Sequence, residues 1–196
     1  LPPARVLSYV DVITGRTSLA EVAEPGAVLR IDSPDKDFGT ERAFLMLGAE
    51  QAAVEGCENL PRAIVEHLEF EKGRLWPARQ RYLGFCEVLC QIETQALECP
   101  NLRRMQTTEA IARMFDKVAC HELFQAKGLP VPASLGTVTC FEALLERMKE
   151  TGRTRVFVKL AHGSSASGVV AFQFNRDRFQ ATTTVEMVRE KGTLKL

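Results

Sequence analysis

Net charge is missing from this chain: 25 Lys and Arg are matched by 25 Asp and Glu over 196 residues. No basic cluster stands out within that balance, which argues against a dedicated nucleic-acid or membrane-surface binder. Apolar runs of transmembrane length are missing too, since crossing a bilayer takes about 20 consecutive apolar residues. No secretory signal pattern opens the chain, and because it begins at Leu1 its natural start is expected upstream. There is no internal repeat and no low-complexity tract, so one large domain or two small ones are expected. Two nucleotide fingerprints are also absent. No Gly-x-Gly-x-x-Gly follows the first expected strand. A Walker loop needs Lys-Ser/Thr after its second glycine and a helix beyond, whereas Gly168 is followed by Val169-Val170.

Cysteine is present six times, as Cys57, Cys86, Cys90, Cys99, Cys120 and Cys140. A hydrophobic chain of this length does not need disulfide staples. Cys86 and Cys90 lie four apart on an expected helix and could share a metal with Cys99 or His67, but the spacing is not that of a zinc knuckle. Free cysteine is commonly a small core residue. Reduced thiols in a cytoplasmic protein are the expectation.

The N-terminal half reads as mixed strand and helix. Arg5–Val10 and Ala27–Ile31 are expected strands, and Ser18-Leu19-Ala20-Glu21 has the form of a capping box between them. Strand, crossover and strand predict a parallel β-α-β unit. Asp32 at the second strand's end faces a ligand or starts a turn. Thr40 to Glu55 is helix-like, and Pro61 suits the first position of another helix. A long helix starts at Pro77, with Tyr82, Phe85, Leu89, Ile92 and Ala96 as its buried stripe. Arg74, Arg79 and Arg81 bracket its start and either meet an anionic substrate or stay solvated.

Residues 99–106 look like a boundary. Thr107 caps the next expected helix, whose stripe Ile111, Phe115, Ala119, Leu123 and Ala126 runs to Gly128. Asp116 and Lys117 fall off that stripe at mid-helix. Ala133–Val138 is an expected strand, and Thr139-Cys140-Phe141-Glu142 an expected capping box before a helix striped by Phe141, Leu144, Leu145 and Met148. Val156–Leu160 then reads as a strand carrying Lys159, and Val169–Phe174 as another. Between them, Gly163-Ser164-Ser165-Ala166-Ser167-Gly168 has no bulky side chain. Such a loop can bring N–H groups and hydroxyls around a phosphate, although ordinary turns also need Gly and Ser. Residues 181–188 have strand propensity, and Lys191-Gly192 reads as a turn.

The order Asp116-Lys117 on a helix, Gly128-Leu129-Pro130-Val131-Pro132, the strand lysine Lys159 and the glycine-rich loop resembles the ATP-grasp superfamily. The match runs from about Met105 to Phe174. In the family's pattern one lysine follows an aspartate on the helix, a second sits on the strand before the loop, and both reach the nucleotide. The resemblance therefore implies that Lys117, Lys159, Gly163, Ser164, Ser165, Ser167 and Gly168 bind ATP.

It also implies an α/β fold: a Rossmann-like pre-ATP-grasp domain with a parallel sheet over 1–104, a linking helix over 105–132, and a small α+β ATP-grasp lobe over 133–196. Adenine hinge, magnesium ligands and the arginine for the acyl phosphate are expected beyond Leu196. The implied activity of the intact protein is ATP-dependent ligation of a small-molecule carboxylate to an amine or similar nucleophile through an acyl phosphate, with the fragment itself inactive. Two alternatives stand beside it: a non-catalytic nucleotide-binding or scaffold module on the same fold, and a Rossmann-like binder of an unrelated ligand. No nucleic-acid or membrane partner is expected.

Overall fold

The computed structural model describes residues 4–34, 37–163, 168–175, 178–184, 188–190 and 193–195. It is a mixed helix and sheet structure in two compact units, Leu1–Glu71 with Trp76–Phe115, and Lys72–Leu75 with Asp116–Leu196.

The first unit is mostly helical. Ser8 caps α1 (Tyr9–Thr14): its Oγ accepts the Asp11 N–H at 3.1 Å, and Gly15 closes the helix at φ 65°. The strand expected at Arg5–Val10 is thus replaced by a loop and a helix start. A Ser hydroxyl that satisfies an orphan helix N–H outcompetes strand propensity here. The helix α2 (Leu19–Val22) begins at the expected capping box, with the Glu21 carboxylate accepting the Ser18 N–H at 2.8 Å. β1 is only Val28–Leu29, and it pairs in parallel with β2 (Arg103–Arg104). The expected β-α-β unit within the first 31 residues is therefore absent. The parallel partner comes instead from the far end of the unit. Asp32 serves structure: its carboxylate accepts from Arg30 at 2.8 Å and its carbonyl accepts the Tyr9 hydroxyl.

The unit is held by α3 (Phe38–Val54) and α5 (Ala78–Leu97), with α4 (Arg62–Val65) and α6 (Thr108–Phe115) beside them. Phe44, Phe85, Val88 and Leu89 form its centre, and the predicted stripe of α5 is buried from Phe85 to Ala96. The two long helices touch backbone to backbone. A Cβ on Gly48 would overlap the Gln80 carbonyl oxygen, and one on Gly84 would overlap that of Phe44. Gln80, 0% exposed, fills the crossing with its amide. Its Nε2 donates to Leu45 O at 2.7 Å and Leu60 O at 2.9 Å, and its Oε1 accepts from Leu60 N at 2.7 Å. A buried amide with its hydrogen bonds made costs little, and it fixes the loop before α4 to the helix pair.

The second unit holds α7 (Lys117–Ala126), α8 (Phe141–Glu150) and an antiparallel sheet of β3 (Arg155–Val158), β4 (Val170–Asn175) and β5 (Arg178–Thr183) in that order. β6 (Val188–Glu190) and β7 (Thr193–Lys195) form a separate antiparallel pair. The expected turn at Lys191-Gly192 lies outside the described residues. Val156, Val158, Val170 and Phe174 pack with Phe172 under Leu144 and Met148 of α8. Within 133–196, the range expected for a small α+β lobe, a helix packs on a separate antiparallel sheet. Two local expectations fail. Residues 133–138 form no strand, because Gly136 sits at φ 77°, Ser134 Oγ accepts the Gly136 N–H at 3.0 Å and Leu135 O accepts from Arg147. The cap of α8 is Cys140 rather than Thr139, with no side-chain cap bond.

Candidate functional site

The helix expected from Thr107 to Gly128 is broken at Asp116, and the break makes the site. Thr107 caps α6 as expected, its Oγ1 accepting the Ala110 N–H at 3.1 Å. Asp116 then leaves helical geometry (φ −101°, ψ 101°) and caps α7 instead. Its Oδ1 accepts the N–H groups of Val118 and Ala119, both at 3.0 Å. An Asp that bonds the next turn's N–H groups competes directly with helix continuation. The Lys117 N–H, released from the helix ladder, donates to Ala161 O at 2.9 Å, and Asp116 forms an antiparallel bridge with His162. Lys117 thus opens α7, and its backbone is stitched to the segment that follows β3.

That segment carries Lys159, which lies one residue past β3 and is exposed. Lys117 is half-buried, and its Nζ donates to Gly163 O at 2.8 Å across 46 positions of chain. Burial lowers the Lys117 pKa, and the nearby Lys159 ammonium lowers it further; Asp116 and Cys120 oppose both. Two lysines distant in sequence therefore share one field. His162 Nε2 stands 3.6 Å from Asp116 Oδ2, so the same aspartate caps the helix and faces the imidazole.

The first-turn donors of α7 are already used: Lys117 N by Ala161 O, Val118 N and Ala119 N by Asp116, and Cys120 N by Asp116 O. An anion at this place meets side-chain ammonium groups rather than free helix N–H groups. The chemistry on offer is charge-assisted hydrogen bonding to a phosphate or carboxylate.

Of the residues the sequence singled out, Lys117, Lys159 and Gly163 come together here. Gly168 has φ 65°, and a Cβ there would lie 3.1 Å from Leu75 Cδ1, so both conformation and packing ask for glycine. Ser164, Ser165 and Ser167 lie outside the described residues. Arg79 and Arg81 do not gather at an anion site. Arg79 forms a two-pronged pair with Glu55 at 2.7 and 2.9 Å, and Arg81 Nε lies 3.2 Å from Glu41. Sequence reasoning did not single out His162 or Cys120 for this site. Asp116, a cap-forming residue type within the span of the apolar stripe, was the available signal for the helix break.

None of the six cysteines forms a disulfide. Among the described residues no group of three or more His, Cys, Asp or Glu is placed to hold a metal, so Cys86 and Cys90 join none. Two hollows, of about 240 and 630 Å³, open on the β3-β4-β5 sheet around Arg155, Gln173 and Gln180 rather than at the lysines. No helix among the described residues is long and apolar enough to cross a membrane. No family model matches this chain, and no curated protein or solved structure matches it significantly.

Proposed function

We propose that Lys117 and Lys159 bind the phosphates of ATP, and that the protein is an ATP-grasp ligase joining a carboxylate to an amine or similar nucleophile through an acyl phosphate. The observation that supports this reading is geometric: Lys117 N donates to Ala161 O, two residues past Lys159, and Lys117 Nζ donates to Gly163 O at 2.8 Å, at the glycine that opens the loop. Two neighbouring ammonium groups repel each other until an anion arrives. A triphosphate relieves that repulsion and gains charge-assisted hydrogen bonds at the same moment.

The chemistry of such a ligase is positioning and charge neutralisation. Lys117 would hold a phosphate oxygen from a fixed backbone. Lys159, exposed just past β3, would meet the transferred group. ATP supplies the phosphoryl group that activates the carboxylate. Magnesium is part of the reading through the family resemblance. The residues described offer it no ligand set, so no step is assigned to it. The finer fold assignment belongs to the same proposal: a Rossmann-like pre-ATP-grasp domain, supported by the parallel β1–β2 pair, and an ATP-grasp lobe, supported by α8 on the antiparallel sheet. The absence of any disulfide among the six cysteines supports a cytoplasmic location within this reading.

Calorimetric ATP titration of the full-length protein and of its Lys117→Met and Lys159→Met variants tests the reading. A lost charge-assisted bond costs roughly 1.5–3 kcal/mol, so each variant should bind ATP about ten- to a hundredfold more weakly. Equal affinity in all three would remove both lysines from the nucleotide site.

A further inference from the structure

The β3-β4-β5 sheet buries Val156, Val158, Val170 and Phe172 against α8, so the alternate side chains stand on its other face. There Arg155 lies opposite Gln173, and Gln173 opposite Gln180, three side chains abreast in one row. Phe157 belongs to the next row along the strands and Arg178 to the row on the other side, each about 7 Å away at the rise of a strand. Both hollows share Arg155, Gln173 and Gln180, so they adjoin. The larger, of about 630 Å³, reaches Arg178, and the smaller, of about 240 Å³, reaches Phe157. No Asp or Glu is among the described residues that line them. Among the described residues neither arginine side chain has an ion pair or a hydrogen bond. Gln173 Nε2 donates to Gln180 Oε1 at 2.6 Å, which leaves the Gln180 amide as a further donor. Phe157 is 73% exposed, an aromatic ring with its face open to stacking.

We propose that this sheet face binds a small aromatic carboxylate, with the carboxylate between Arg155 and Arg178 and the ring on Phe157. A guanidinium fork meets a carboxylate through two parallel N–H···O bonds, and the Gln180 amide adds a donor beside them. The ring removes the face of Phe157 from water. Ring and charge are held one strand row apart, so a short arm must join them, as in an arylacetate. The larger hollow falls within the roughly 300–1,000 Å³ of small-molecule sites, which favours a small anion over a polymer. Charge is balanced over the whole chain, yet here two cations stand without an acid, and that local excess selects the anion. Neither Lys117 nor Lys159 takes part, so this site does not depend on the ATP reading.

Phenylacetate titrated into the full chain and followed by heteronuclear NMR tests the site. The side-chain amide signals of Gln173 and Gln180 should shift and saturate, together with backbone signals of β3 and β5. Phenylacetamide keeps the ring and loses the charge, and acetate keeps the charge and loses the ring. Each should bind about tenfold more weakly or worse. Arg155→Gln and Arg178→Gln should each weaken phenylacetate by about ten- to a hundredfold. Phe157→Ala should bring phenylacetate down to the affinity of acetate, with Phe157→Leu in its place if the alanine variant unfolds. Lys159→Met should leave phenylacetate binding unchanged. Silent glutamine signals overturn the proposal, as do equal affinities for the three probes or an affinity unmoved in the folded arginine variants. Loss of binding in Lys159→Met would place the acid at the lysines and overturn it as well. Shifts of the same signals by oligothymidylate or an oligoglutamate peptide, but not by phenylacetate, would overturn it in favour of nucleic-acid or acidic-peptide docking.

Discussion

In the N-terminal unit two long helices meet backbone to backbone, whereas in the C-terminal unit one helix covers one face of a three-stranded sheet. The first arrangement leaves no room: Gly48, Gly84 and the fully buried Gln80 are each fixed by what they touch. The second is thinly covered. Leu144, Met148 and Phe172 are its buried hydrophobic residues among those described, β5 is exposed along its length, and Phe157 stands 73% exposed on the uncovered face. The lysine cluster lies in the thinly covered unit and is held by backbone hydrogen bonds and one carboxylate rather than by core packing. The contrast teaches where change is tolerated: the helix crossing resists any added atom, while the cluster can lose a charge and keep its fold.

The comparison breaks most visibly at the crossing. Gly84→Ala forces a methyl group into the Phe44 carbonyl, which neither backbone can yield cheaply. A loss of about 3 kcal/mol or more in urea unfolding is expected, and a near-neutral result would mean that the helices are not in backbone contact. Gln80→Leu comes next. It strands the Leu60 N–H and C=O, and loses the bond to Leu45 O. A cost of about 2–3 kcal/mol is expected by the same measurement.

Smaller effects belong to the site. Asp116→Ala removes the cap of α7 and should cost about 1 kcal/mol, while Asp116→Asn, which keeps the cap oxygen, should recover most of it. If Asp116→Ala were as damaging as Gly84→Ala, the second unit would be as tightly determined as the first. Tyr9 provides a pH marker for the first unit. Burial, helped by the Asp32 carboxylate, raises its pKa from 10.0 to about 12. The folded state thus favours the phenol, so this contribution is whole below pH 10 and is lost as pH climbs through about 12. Ultraviolet titration of tyrosinate should show one late-ionising residue, absent in Tyr9→Phe. The smallest stability change is expected for Lys159→Met, within about 0.5 kcal/mol by thermal melts, because the side chain is exposed.

Much of the helical framework was legible in the sequence. The stripe from Phe85 to Ala96, the capping box at Ser18 and the Gly128 helix end all read directly from periodicity and cap chemistry. What failed did so for identifiable reasons. Ser8 and Asp11 carried a cap signal inside an apolar run that was read as a strand. Gly136 and Ser134 formed a turn within six residues of strand-like composition. Asp116 broke a helix whose apolar stripe continued past it, because its carboxylate and the Ala161 carbonyl offered the backbone better partners. The parallel pair of β1 and β2 links positions too distant for any local pattern. In the candidate site, the resemblance implied that Lys117 and Lys159 reach one nucleotide, but the helix break that seats Lys117 against Ala161 and Gly163 was not legible.

The central claim is that these two ammonium groups act as one anion-binding pair. Folding lowers the Lys117 pKa, so the unfolded chain binds more protons at this position. The cost is present in full below the folded value and is relieved as pH rises toward that of an ordinary lysine. A ligand that prefers the ammonium must raise the folded value by linkage. The decisive measurement is the pH titration of the Lys117 side chain by heteronuclear NMR in the wild type, with and without ATP, and in Lys159→Met. Lys117 should titrate below an ordinary lysine in the free protein, and move up when ATP is added or when Lys159 loses its charge. A Lys117 titration at the ordinary value, unmoved by either change, would contradict the account.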